Sequence, residues 1–130
     1  MPKSIRRVSR WADGISGFSF APDPNEIGGA FEVARAAWKE NGRPAPRLVT
    51  SFWYALGPKA REQMDLYVER YLNFFGPDAA VSVAAMCSAV SPQALRDVVG
   101  RIRDLGTDEL ILVPTTADAD ELKRTEDALA

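Results

Sequence analysis

The amino-acid sequence predicts an α/β domain of parallel β/α units, with about three strands and six or so helices. Three observations lead there. Strand-like runs of bulky and β-branched residues alternate with longer segments of helical periodicity, the order that yields parallel sheets. The chain has 130 residues and a mass of 14.2 kDa, which makes one domain, 1–130. Hydrophobic residues make up 46% and charged residues 26%, a globular balance that a disordered chain lacks.

The elements follow in order. Lys3 to Ala12 reads as a short helix, with Ile5, Val8, Trp11 and Ala12 on one face and Arg6, Arg7 and Arg10 on the other. Asp13-Gly14 breaks it. Ile15 to Phe20 alternates apolar and small residues and suggests a strand. Two prolines mark Ala21 to Asn25 as loop. A helix from about Pro24 to Asn41 carries an apolar stripe of Ile27, Ala30, Phe31, Ala34, Ala37 and Trp38, and Gly42 is placed to cap it. Leu48 to Leu56 is the clearest strand, bulky on both faces as expected where both are covered.

Pro58 to Phe75 then reads as one helix with Ala60, Met64, Tyr67, Val68, Tyr71, Leu72 and Phe75 on one broad face. Gly76-Pro77 interrupts it, and Asp78 to Ala89 follows as an Ala-rich helix. Ser91 is an N-cap with Pro92 at the first helical position, opening a helix that Gly106 stops after Leu105. Glu109 to Val113 is a compact buried strand. Asp118 can cap a last helix, Ala119 to Leu129, with Glu121 as its capping-box partner.

Composition excludes several kinds of chemistry. Lys plus Arg number 16 and Asp plus Glu 18, a net charge of −2, so there is no general basic field for nucleic acid. The one basic cluster is Lys3 to Arg10. The chain has no histidine, which removes Ser-His and Cys-His pairs and His-ligated metals. The single cysteine, Cys87, permits no internal disulfide; beside Ala84, Ala85 and Met86 it reads as a buried thiol, with a reactive one the alternative. No apolar run approaches the roughly 20 residues of a membrane span, and the basic N-terminus lacks the apolar core of a signal peptide. The expected location is the cytoplasm, with no membrane partner.

Four segments then carry a resemblance. They are Arg6-Arg7-Val8-Ser9-Arg10-Trp11-Ala12-Asp13-Gly14, Asn41-Gly42-Arg43-Pro44-Ala45-Pro46-Arg47, Phe52-Trp53-Tyr54-Ala55-Leu56-Gly57, and Leu105 to Pro114. In order and approximate spacing the set resembles the C-terminal portion of the luciferase-like monooxygenases, flavin- or deazaflavin-dependent oxidoreductases on a (β/α)8 TIM barrel. The resemblance implies a partial barrel, FMN or a deazaflavin as cofactor, and a small organic substrate. The family's earlier strands, and the Gly-Gly turn that helps hold the cofactor phosphate before the first Arg pair, have no counterpart beside Met1-Pro2-Lys3-Ser4.

Three strands cannot close a barrel, and unpaired edges invite pairing. Self-association as a homo-oligomer, or assembly with a complementing chain, is therefore expected. Chemistry in β/α barrels sits at the C-terminal strand ends. Here those ends are Phe18 to Phe20, Tyr54 to Gly57 and Val113 to Thr116. Phe18, Phe20, Phe52 and Tyr54 either wall a pocket for a flat ring or pack as core. Thr115 and Thr116 either hydrogen-bond a ligand or belong to the turn that Asp118 caps. Lys3, Ser4, Arg6 and Arg7 at the start of the first helix either meet a cofactor phosphate or form a solvated basic face. No nucleophile stands with a base. Two functional readings follow. One is a truncated luciferase-like flavin-dependent oxidoreductase, inactive until complemented; the other is a non-catalytic fragment that serves oligomerisation or interaction.

Overall fold

The computed structural model describes residues 2–130 and alternates helices with strands. In order they are α1 (Pro2–Val8), β1 (Gly14–Phe18), α2 (Pro24–Glu40), β2 (Arg47–Tyr54), α3 (Ala60–Leu72), a 3₁₀ turn (Asn73–Phe75), α4 (Pro77–Met86), α5 (Pro92–Asp104), β3 (Glu109–Pro114) and α6 (Asp120–Leu129). The strands form one parallel sheet in the order β1-β2-β3. Phe18 lies opposite Ser51, Thr50 opposite Leu110 and Trp53 opposite Val113.

Side chains alternate across a strand, so this register sorts the sheet into two faces. Ile15, Leu48, Phe52, Tyr54, Leu110 and Leu112 share the face covered by α1, α2, α5 and α6, which contribute Ile5, Phe31, Trp38, Leu95, Ile102 and Ala128 to one core. The other face carries Phe18, Val49, Ser51, Trp53, Ile111 and Val113. It is covered only toward the C-terminal strand ends. There α3 and α4 close a second core over Trp53 and Ala55 with Met64, Val68, Leu72, Ala84 and Cys87. Val49 and Ser51 are only partly covered, and Ile111 is exposed. With the helices on the opposite side, this is the face that points inward in a β/α barrel.

The N-terminal strand ends are tied by polar side chains. Arg43 donates to the carbonyls of Ser9 and Ala12 and pairs with Asp13 at 3.1 Å. Trp38 Nε1 donates to the Ala12 carbonyl, and Asn41 Nδ2 to Ser9 Oγ at 2.7 Å. The Leu48 amide donates to Asp108 Oδ2 at 2.8 Å. Gly14 is required there, because a Cβ would sit 2.2 Å from the Arg47 carbonyl oxygen. Much of the first two resembling segments and of the turn before β3 thus holds the end of the barrel that serves stability.

Several boundaries differ from expectation. Helix α1 stops at Val8, where Ser9 Oγ donates back to the Arg6 carbonyl at 2.7 Å. Trp11 therefore leaves the expected inward face and is 71% exposed. Strand β1 ends at Phe18 rather than Phe20. The long helix opens at Ala60 and gives way at Leu72 to the 3₁₀ turn, which leaves Phe75 exposed; Tyr71, still helical, lies beside the buried Ala60, Met64, Val68 and Leu72 stripe and keeps more than half of its surface free. Helix α4 ends at Met86, not Ala89. Among the described residues no helix is long and apolar enough to cross a membrane.

Candidate functional site

Five aromatic rings gather on the inward face at the C-terminal strand ends. Trp53, from the last turn of β2, is the hub. Its ring lies 4.8 Å from Phe18, 5.5 Å from Phe20, 5.8 Å from Tyr67 and 5.3 Å from Tyr71, centroid to centroid. Such edge and tilted arrangements are favoured by the ring quadrupoles. Trp53 is buried, while Phe18 and Phe20 keep more than a third of their surface free. The sheet end therefore presents an apolar wall whose outer layer is open to a ligand or another chain.

Tyr54 is not on that wall. It faces the helices with Phe52, is buried, and its hydroxyl shares a 2.7 Å hydrogen bond with Thr125 Oγ1 of α6. Alternation along β2 explains the placement: Phe52 and Tyr54 share one face and Trp53 takes the other. Thr115 is buried at the end of β3. Its hydroxyl donates to the Tyr54 carbonyl at 3.1 Å and accepts from Gln63 Nε2 at 3.1 Å. It lines a cavity against the flank of α3 that carries Gln63, Tyr67 and Tyr71.

Beneath Thr115 lies a buried carboxylate that the sequence reading assigned to a capping box. Glu121 instead turns inward. Its Oε1 accepts from the Leu56 amide at 3.2 Å and lies 3.5 Å from Arg124 Nη1; its Oε2 accepts from Gln63 at 3.2 Å. Asp118 Oδ1 accepts from the Asp120 amide at 3.0 Å, while the residue at the N-cap position of α6 is Ala119, whose side chain makes no cap bond. The physical reason is that the Leu56 amide, left without a ladder partner past β2, needs a buried acceptor. Burial alone would lower the Arg124 guanidinium, but its hydrogen bonds to Asp118 and Glu121 and their charges raise it above its usual value. Gln63 lies far in sequence from Glu121 and Arg124, and no local pattern marked the group.

Lys3, Ser4 and Arg7 are exposed on α1. The helix runs antiparallel to β1, so its start shares the aromatic end of the sheet; Pro2 lines the same 330 Å³ cavity as Phe18 and Ser19. Arg6 is held apart by Glu40 at 3.0 Å. Cys87 is buried against α3, and burial pushes its thiol up to about 11 against a smaller opposing pull from Arg61.

Comparison with known proteins bears on the fold. No protein-family model matches the chain, and no curated protein matches it. Among solved structures it is similar to an F420-dependent secondary alcohol dehydrogenase in complex with an F420-acetone adduct, with a TM-score of 0.69 and 14% identity, over 99% of this chain and 46% of that one. It is also similar to the coenzyme F420-dependent tetrahydromethanopterin reductase from Methanopyrus kandleri, with a TM-score of 0.61 and 15% identity, over 97% of this chain and 46% of that one. The chain thus spans a little under half the length of either. Its three parallel strands and flanking helices have the fold of part of a (β/α)8 TIM barrel.

Proposed function

We propose that this chain forms one wall of the reaction pocket in a deazaflavin- or flavin-dependent oxidoreductase of the luciferase-like kind, corresponding to the C-terminal portion of such a barrel. The observation that carries the reading is the Trp53-centred aromatic cluster, on the inward face and at the strand ends where β/α barrels place their chemistry. The two similar structures act with the deazaflavin F420, which favours a deazaflavin over FMN.

The residues present suit such a group. Phe18 and Phe20 offer partly open apolar surface to a planar ring, and Lys3, with the Ser4 hydroxyl, places positive charge and a donor at the start of α1 for a phosphate, while Arg7 lies in the last turn of that helix, away from this end. When bound, the cofactor supplies the redox chemistry. The chain's part is to orient the ring, keep water from the Trp53 side and shape the space left for a small organic substrate. The strands that complete the barrel come from elsewhere in a longer polypeptide, from a second copy or from a complementing chain.

The reading is tested by titrating F420, and FMN in parallel, against the chain and against Phe18→Ala and Phe20→Ala while following cofactor fluorescence. Saturable quenching by the parent chain that both variants weaken supports it. Absence of quenching, or equal quenching by all three proteins, rejects it. A second reading, an interaction module without redox chemistry, is favoured by the exposed Ile111 on the open inward face of an edge strand. Association without cofactor binding would select it.

A further inference from the structure

The flank of α3 beside its buried stripe forms, with Thr115, an open cavity of about 370 Å³ lined by Gln63, Leu66, Tyr67, Arg70, Tyr71 and Thr115. Its wall is aromatic. Tyr67 and Tyr71, one helical turn apart, hold their rings within 11° of parallel with centroids 6.0 Å apart, and Trp53 braces both edge-on. A ring sandwiched between two others needs about 7 Å, twice a carbon contact distance of roughly 3.5 Å, so a planar ligand lies across these rings rather than between them. Tyr71 is 58% exposed and offers the outer surface.

Its floor is polar but already satisfied. Gln63 Nε2 donates to Thr115 and to Glu121, and Thr115 donates to the Tyr54 carbonyl. The nearby carboxylate, Glu121, is buried and faced by the Leu56 amide, Gln63 and Arg124. Its rim is cationic. Among the described residues lining the cavity Arg70 is the only charged one, and it pairs with no carboxylate among the described residues. Arg61 on the same helix, by contrast, is tied to Asp65 and to the carbonyls of Ala84 and Cys87. Asp65 and Glu69 belong to a separate cavity with Arg61. An aromatic wall under an uncommitted guanidinium suits one ligand class: a flat apolar body for the rings and a carboxylate for the planar, bidentate donor fork.

We infer that this cavity binds an aromatic carboxylate, its ring across Tyr67 and Tyr71 and its carboxylate on Arg70. The inference rests on the reading of this strand end as the reaction side, and it names the substrate class of that pocket.

The test is calorimetric titration of the full chain with naphthoate and with its uncharged counterpart naphthalenemethanol, at low salt and without cofactor. The expected result is that naphthoate binds about tenfold tighter than the alcohol, as one charge-assisted contact supplies. Arg70→Gln removes the preference, Arg70→Lys keeps part of it, and Tyr71→Leu weakens both ligands. Both positions are exposed, and circular dichroism checks that each variant is folded. Equal affinity for the two ligands, an unchanged preference in Arg70→Gln, or no binding of either by the parent chain overturns the inference. Cofactor titration is a separate readout: naphthoate binding without cofactor binding sinks the oxidoreductase reading alone, and the reverse sinks this one alone.

Discussion

Single side chains at the strand ends carry more than their sequence context shows. Glu121 gathers a backbone amide, an amide side chain and a guanidinium into one buried group. Its replacement by Ala leaves the Leu56 amide and Gln63 unsatisfied, and Glu121→Ala should lower stability by about 2–3 kcal/mol in urea titration. Glu121→Gln, which keeps one acceptor, should lose less. Cys87 makes a second prediction. With its thiol raised from 9.0 to about 11, the folded chain holds that proton where the unfolded chain gives it up. Its contribution to stability is thus complete below about pH 9 and is lost as pH rises toward 11. At neutral pH a thiol reagent should label Cys87 only after unfolding; rapid labelling of the native chain would contradict the burial. The thiol was legible from its apolar neighbours. Trp53 was not, because a run as uniformly bulky as Leu48 to Tyr54 does not say which parity faces the helices; only register against β1 and β3 decides it.

At the scale of elements, local chemistry set most of the boundaries. Ser91 accepts from the Ala94 amide at 3.1 Å and Asp23 from the Asn25 amide at 2.9 Å, so α5 and α2 begin where cap and proline place them. The end of α5 offers a sharp test. Gly106 has φ +79°, and a Cβ there would lie 2.8 Å from Arg35 Nη2, the atom that donates to the Leu105 carbonyl. Gly106→Ala combines a left-handed backbone with a displaced hydrogen bond and should cost about 1–2 kcal/mol, read as a lower midpoint in thermal unfolding. Periodicity misled where tertiary contacts intervene. Trp11 fell on the inward stripe of a helix that Ser9 ends early, and Phe75 on the stripe of one that gives way to a 3₁₀ turn at Asn73. In each case the 3.6-residue repeat continues in the sequence while the helix does not.

For the whole molecule, the open inward face governs behaviour. The β/α order and the parallel sheet followed from alternating segments; the half-covered face did not, because nothing local announces that α3 and α4 cap only the strand ends. Unpaired edges on β1 and β3 beside exposed Ile111 should drive concentration-dependent association. Ile111→Lys should reduce it while leaving the unfolding midpoint within about 0.5 kcal/mol of the parent, as is usual for an exposed position. Analytical ultracentrifugation over a concentration series reads the first effect, and urea titration the second.

The measurement that bears most directly on the pocket-wall account is light scattering of the purified chain in the presence of excess F420, with the visible spectrum recorded across the eluting peak. The account predicts a mass that is a multiple of 14.2 kDa, carrying the deazaflavin absorbance near one cofactor per chain. A colourless peak at the mass of a single chain would contradict both association through the open edges and cofactor binding by this wall.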